Sequence, residues 1–322
     1  MHWDDSIIEK AESWKLEGLC PVFSSKASRI TRIKSGYYKK YGRICVPGFE
    51  WSAGVISSLC DPPTIGIMKW WTTKGKNRDS RSNVLYKMLR QSSEVLKQTE
   101  AEVWHVFDRG YANKTTLDYL INHFEQQFII RWKSNLLLVN SKGESKNTFK
   151  HSIGKKATST RKVWDKERKE VKKVSILYLP VYDPVINEKQ LYLVIARDKR
   201  KGRKPIYFLT DVPINTNGMA WAVLRSYMKR WDVEQVFRFG KTAMGIESLR
   251  LWFWENRLKL LMLVTLVMAF VLTLFDTAKK FSWRLINTWV PRTGNRQKKT
   301  FLLIYRLRLA ISFLISHELH PT

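Results

Sequence analysis

Acidic residues are scarce in this chain. Its 322 residues carry 28 Asp+Glu against 57 Lys+Arg, a formal net charge of +29 at pH 7. An excess that large predicts a polyanionic partner, because each phosphate contact releases counterions. Nucleic acid is the first candidate and an anionic membrane surface the second. Cysteine is nearly absent. Cys20, Cys45 and Cys60 stand apart with no C-x-x-C pair. This argues against a disulfide framework and a thiolate zinc site, and it fits a reducing cytosol. The six histidines show no metal-ligand spacing. Met1 is followed at once by His2-Trp3-Asp4-Asp5, so no signal peptide is expected. The apolar run LLMLVTLVMAFVLTLF, residues 260–275, is 16 residues long. A membrane span needs about 20, so the run reads as a fully buried core helix. There is no internal repeat.

What is present can build a core. Hydrophobic residues make up 44% and aromatic residues 13% of the chain, which excludes a disordered chain. The length suits one large domain or two modest ones. Residues 43–58 and 64–71 read as strands, with Pro47-Gly48 and Asp61-Pro62-Pro63 as turns. Residues 81–98 have helical spacing through Val84, Leu85, Met88, Leu89 and Leu96. A strand is expected at 103–107, a helix opened by Thr115-x-x-Asp118 and running to about Gln126, and a strand at 128–132.

Composition shifts near residue 140. Residues 141–175 hold 12 Lys/Arg and 4 Asp/Glu. Strand-like runs follow at 174–181, 190–196 and 206–209, with the basic stretch DKRKGRK at 198–204. Helical character returns over about 217–241. The order of strands, helix, strand, helix, strand, insertion and helix predicts an α/β domain with functional groups at the carboxyl ends of its strands.

Two stretches carry chemistry. In HVFDRGYAN, residues 105–113, a strand-forming run ends abruptly at Asp108. In YMKRWDVEQVFRFGK, residues 227–241, one continuous helix would put Tyr227, Arg230, Glu234 and Lys241 within an arc of roughly 60°. Trp221, Leu224, Met228, Val236 and Phe239 would occupy the neighbouring arc. The polar arc reads either as a solvated face with an Arg230–Glu234 ion pair or as a metal-binding carboxylate beside phosphate-contacting groups.

The pattern Y-x2-R-x3-E-x6-K, met by Tyr227, Arg230, Glu234 and Lys241, resembles the signature of bacterial insertion-sequence transposases of the DDE type. HVFDRGYAN resembles the second-aspartate motif of that group. The opening WDDSIIEKAESWKLEGLCPVFSSKA resembles its first-aspartate region, which is usually nearer W-D-E-S-V. The resemblance runs from about residue 3 to about 255. It implies an α/β, ribonuclease H-like mixed sheet flanked by helices, interrupted by a β-rich insertion subdomain and followed by a helical C-terminal part. The expected division is 1–132 for the first part of the catalytic core and 133–210 for the basic insertion. Residues 211–255 are expected to close the core, and 256–322 to form the helical C-terminal region.

Carried onto this sequence, the resemblance makes Asp4, Asp108 and Glu234 the catalytic and metal-binding carboxylates, separated by 104 and 126 residues. It implies two Mg²⁺ ions, with Mn²⁺ as substitute. Hard cations prefer such oxygen ligands. Two ions can activate the nucleophile and stabilise the leaving oxygen. Arg230 and Lys241 are expected to hold DNA phosphates, and Tyr227 to contact a phosphate or hold Arg230. Arg109 reads as a DNA contact or a local ion-pair partner, and Gly110 as the residue that lets the chain turn tightly. Trp164 reads as a base-stacking residue or an ordinary packing tryptophan. On a strand only one of Asp4 and Asp5 can face the site, and the motif register selects Asp4. The implied activity is hydrolysis at transposon ends, commonly a hairpin step, and strand transfer into target DNA. The implied partners are DNA and a second copy of the chain in a synaptic dimer. Localisation is expected at the bacterial nucleoid, with no membrane partner. Only three residues precede Asp4, so its strand is expected to be a stub. That raises a second expectation: a truncated, catalytically inactive remnant that binds DNA.

Overall fold

Strands form where β-branched and aromatic residues cluster between turn residues. A computed structural model describes residues 1–13, 15–29, 32–58, 63–165, 170–186, 189–200, 202–290 and 303–319. Cys60 and the Asp61-Pro62 part of the expected turn lie outside them. The first elements are β1 (His2–Glu9), β2 (Cys20–Phe23), β3 (Tyr38–Lys40), β4 (Arg43–Ile56), β5 (Thr64–Trp71) and α1 (Arg81–Leu96). Then come β6 (His105–Phe107), α2 (Lys114–Asn122), β7 (Phe128–Trp132), β8 (Leu137–Asn140), β9 (Ser145–Asn147) and β10 (Ser159–Asp165). The chain continues with β11 (Glu170–Tyr182), β12 (Leu191–Asp198), β13 (Ile206–Thr210), α3 (Asn217–Met228) and α4 (Trp231–Thr242). Three further helices are α5 (Trp254–Thr277), α6 (Lys279–Trp289) and α7 (Leu303–Leu319).

The chain divides into two units: Met1–Trp3 with Tyr86–Trp231, and Asp4–Leu85 with Asp232–Thr322. In the first unit the start of β1 pairs parallel with β6, in the register His2↔Val106 and Trp3↔Phe107. β6 pairs parallel with β7. β13, β12 and β11 then continue the sheet antiparallel, β10 folds back on β11, and β8 and β9 complete it. Helix α3 lays Ala220, Trp221, Val223 and Leu224 on a core of Val106, Ile129, Ile176, Val194 and Phe208. The Thr216 hydroxyl caps this helix by accepting from the Met219 N–H.

In the second unit β4 neighbours β1 and pairs antiparallel with β5, β2 and β3. Phe49, Trp51, Val55 and Trp70 meet Val233, Val236 and Phe239 of α4, and Leu261, Val264 and Met268 of α5. A Cβ on Gly240 would stand 2.6 Å from the Trp51 ring, so the absent side chain lets α4 sit close on β4. Parallel β1–β6 and β6–β7 pairings, with β6 and β7 each entered through a helix, belong to a mixed α/β, ribonuclease H-like arrangement.

Four expectations are corrected. Pro47-Gly48 is no turn, because β4 runs straight through it with Pro21 opposite Pro47 and Cys20 opposite Gly48. A Cβ on Gly48 would lie 2.3 Å from the Ile8 carbonyl oxygen, so the glycine serves a close strand approach. The strand bearing Asp4 is no stub but eight residues long. Helix α2 is capped by Asn113, whose side chain accepts from the Thr116 N–H at 2.9 Å, and it ends at Asn122. The apolar helix is not fully buried. Met262, Leu263, Leu266, Val267 and Phe270 of α5 are exposed, because only one stripe of this helix meets the core of its unit. Its stretch Trp254–Leu274 is long and apolar enough to cross a membrane by length and composition.

Candidate active site

Asp108 stands where an apolar strand stops. His105, Val106 and Phe107 of β6 are all buried, and Trp3 stacks on His105 and Phe107 from the neighbouring strand. The Trp3 Nε1–H donates to His105 Nδ1 at 3.0 Å. Arg109–Tyr111 then form a short 3-10 helix, closed by the Tyr111 N–H donating to the Asp108 carbonyl at 3.0 Å. Gly110 lies within that turn. The carboxylate is thereby held at the carboxyl end of a parallel strand, with its side chain 30% exposed.

Three side chains of the same unit converge on this carboxylate. The Tyr227 phenol donates to Asp108 Oδ1 at 2.8 Å. Arg131 Nη1 donates to the Tyr227 oxygen at 3.3 Å and lies 3.9 Å from Asp108 Oδ1. Arg230 Nε lies 3.9 Å from the same oxygen. Each guanidinium carbon is 5.9 Å from the Tyr227 ring centroid, a cation–π distance. Burial opposes charge on Asp108. The Arg109 N–H, the phenol and the two guanidiniums outweigh it and hold the carboxyl below the ordinary aspartate range. Burial, and then the charge on Asp108, push the Tyr227 phenol up to about 12, so it stays a donor.

The helix carrying the four-residue signature is broken. α3 ends at Met228, the Arg230 N–H closes a turn onto the Tyr227 carbonyl at 2.9 Å, and α4 starts at Trp231. The four residues therefore do not share one continuous helical face. Tyr227 lies in α3, Arg230 in the turn, and Glu234 and Lys241 in α4. The structure brings Tyr227 and Arg230 to Asp108. It places Lys241 differently: its side chain is 18% exposed, and its Nζ is 3.6 Å from Glu247. Arg109 and Trp164 are exposed, Trp164 in β10 opposite Val171. Asp4 follows Trp3 and is half-buried, and its Oδ1 accepts from the Asp5 N–H at 2.9 Å. Asp5 is engaged elsewhere. Its Oδ1 accepts from Ser52 Oγ at 2.6 Å and its Oδ2 from Arg81 Nε at 2.5 Å. Arg131 was missed by sequence reasoning. Its signal is a lone charge inside the apolar strand FIIRW.

The family described as "Transposase DDE domain" matches residues 77–270, well over half of the chain. The chain belongs to this transposase family. The matched segment contains Asp108, Tyr227, Arg230, Glu234 and Lys241 and leaves out Asp4. No curated protein matches the chain.

A divalent metal is general to DDE transposases, and the carboxylates of this transposase can be judged against it. Among the described residues, no group of three His, Cys, Asp or Glu is gathered as a metal site. The individual donors nonetheless suit a hard cation. Asp108 is held ionised, Asp4 and Asp108 are half-buried, and Glu234 is exposed. Each is an oxygen donor with solvent access.

Proposed function

We propose that this transposase hydrolyses phosphodiester bonds at the ends of its element and joins each released 3′-hydroxyl to a target phosphodiester, displacing a 3′-hydroxyl of the target strand. The observation that carries the reading is Asp108, kept ionised at the carboxyl end of β6 by Tyr227, Arg131 and Arg230. Asp108 would hold divalent metal together with Asp4 and Glu234, two Mg²⁺ ions or Mn²⁺ in their place. When bound, the metal lowers the barrier to attack by water or the 3′-hydroxyl and neutralises charge on the leaving oxygen.

The remaining work falls to the chain. Tyr227 keeps its proton and fixes one oxygen of Asp108, which leaves the other oriented for a ligand role. Arg131 and Arg230 are partly exposed beside that carboxylate and can hold a DNA phosphate while restraining Tyr227. Asp5, bound to Ser52 and Arg81, fixes β1 so that Asp4 alone of the pair serves as ligand. Arg109 and Trp164 extend the DNA contact, with a hairpin intermediate at the element end and a dimer that joins two ends at the nucleoid.

A second reading is a DNA-binding remnant without cleavage. The +29 charge favours it, because that charge supports binding whether or not the carboxylates function. Incubation of the protein with DNA carrying the element's inverted repeats, with Mg²⁺, Mn²⁺ or EDTA, separates the two. Metal-dependent nicking that vanishes in Asp4→Asn and in Glu234→Gln is expected. Binding without nicking in any metal would establish the remnant.

A further inference from the structure

Residues 26–43 hold seven Lys/Arg and no Asp/Glu. They run into the β3–β4 hairpin, where Lys40 lies opposite Arg43 and Lys39 opposite Ile44. Tyr41 and Gly42 alone join the two strands. Both have positive φ, 49° and 71°, as a two-residue hairpin turn of matching twist requires. Such a turn favours Asn-Gly or Asp-Gly. Among the described residues, Tyr41 is the only non-glycine residue with positive φ. Its side chain does not pack into the core, because the residue is 88% exposed. An aromatic ring held in solvent on a disfavoured backbone costs the fold stability, which an outside partner can offset.

Cations surround this tip. Lys40 Nζ is 5.3 Å from the Tyr41 ring centroid, and the Arg43 guanidinium carbon is 4.8 Å from that of Phe23 in β2. Both are cation–π distances, and the half-exposed Phe23 ring restricts where the Arg43 guanidinium can lie. Lys39 and Arg43 are exposed and Lys40 is half-buried. Among the described residues no carboxylate pairs with any of the three. Lys26, by contrast, is occupied by Glu9 and Glu247.

We propose that the β3–β4 hairpin is a DNA-docking arm: Lys39, Lys40 and Arg43 hold backbone phosphates of a duplex, and Tyr41 at the tip enters the groove between them. Charge decides the occupant. Three uncompensated cations within five residues suit closely spaced phosphates, with the guanidinium able to bind one bidentately. The major groove admits a two-stranded ribbon. The arm lies outside the Y-x2-R-x3-E-x6-K signature and in the unit that does not contain Asp108. It rests on DNA as the substrate of this family and not on the cleavage proposed above.

The experiment compares the full wild-type chain with Tyr41→Asn and with the triple variant Lys39→Gln/Lys40→Gln/Arg43→Gln. The readouts are thermal unfolding and the affinity for a random-sequence duplex as a function of salt. Asparagine suits the turn, so Tyr41→Asn should raise the unfolding temperature while weakening DNA binding several-fold at an unchanged salt slope. A tyrosine that served only the fold would give a lower unfolding temperature and wild-type binding, which would overturn the proposal. The triple variant should unfold near the wild-type temperature. Its slope of log affinity against log salt should fall by about 2.7, the value for three lost phosphate contacts at about 0.9 each. A wild-type slope in the triple variant would overturn the proposal. If that variant also lost binding to phosphatidylserine vesicles, the hairpin would belong to a membrane contact instead. If wild type binds DNA but never cleaves it, the proposed function fails, while the salt slope and the Tyr41→Asn comparison still judge the hairpin.

Discussion

The phenol of Tyr227 donates a 2.8 Å hydrogen bond to Asp108, 119 residues earlier in the chain. One side chain of the helical signature is thus bonded to the aspartate of the D-R-G motif, and two guanidiniums flank the pair. The phenol and both cations favour the ionised carboxylate over its protonated form.

Tyr227→Phe tests that coupling. The folded-state pKa of Asp108 is depressed, so its contribution to stability is full above the ordinary aspartate range. It is lost as pH falls through the folded-state value. Losing the phenol should raise that value, move the acid limb of the cleavage profile to higher pH and lower the rate there by up to about tenfold. The stability cost should be about 1 kcal/mol or less, given partial exposure. A pH–rate profile and urea titrations near pH 7 and pH 4 measure both. An unmoved acid limb would separate Tyr227 from the ionisation of Asp108.

Glu50 gives a pH signature of opposite sign. Burial and repulsion from Asp5 push its carboxyl up to about 7, against the pull of Arg81. A raised carboxyl binds more protons folded than unfolded, so its ionisation destabilises the fold. That cost is absent below the unfolded value of about 4.5 and complete above about 7. Glu50→Gln should therefore gain stability over wild type at pH 8 relative to pH 4.5. Urea unfolding at the two pH values decides it, and an equal difference at both would contradict the assignment.

Gly48→Ala should destabilise the second unit. The new Cβ would meet the backbone carbonyl of Ile8 at 2.3 Å, and neither strand can give way cheaply. A loss of about 1–3 kcal/mol is expected, as for overpacked sites. An unchanged chemical-denaturation midpoint would mean that β1 does not approach β4 so closely.

Helix α5 should show two unlike faces. Met268→Ala removes a fully buried side chain and should cost about 2–5 kcal/mol. Leu266→Ala removes one that is 61% exposed and should change stability by about 0.5 kcal/mol or less. Equal costs in denaturation would show that the outward face is covered in solution.

Much of this arrangement was legible in the sequence. β5 and β7 have the bounds expected from apolar runs between turn residues, and α1 follows its expected spacing closely. Asp108 was legible because an apolar strand stops at a charge. The cap of α2 is a local misreading, at Asn113 rather than Thr115, whereas the others depend on contacts distant in sequence. Pro47-Gly48 reads locally as a turn, yet the approach of Ile8 makes it strand. Residues 227–241 contain no proline and read as one helix. The chain instead turns at Arg230, whose guanidinium lies beside Asp108. Arg131 carries no motif, and only the pairing of β7 beside β6 makes it a neighbour of Asp108.

The most direct test of the central claim is DNA cleavage by wild type and by Asp108→Asn on a substrate bearing the element's ends, at matched fractional binding. The substitution keeps the shape of the side chain and removes its charge. Wild type is predicted to nick the substrate in Mg²⁺, and Asp108→Asn to fall to background while binding DNA as tightly. Cleavage by Asp108→Asn at the wild-type rate would contradict the role assigned to this carboxylate.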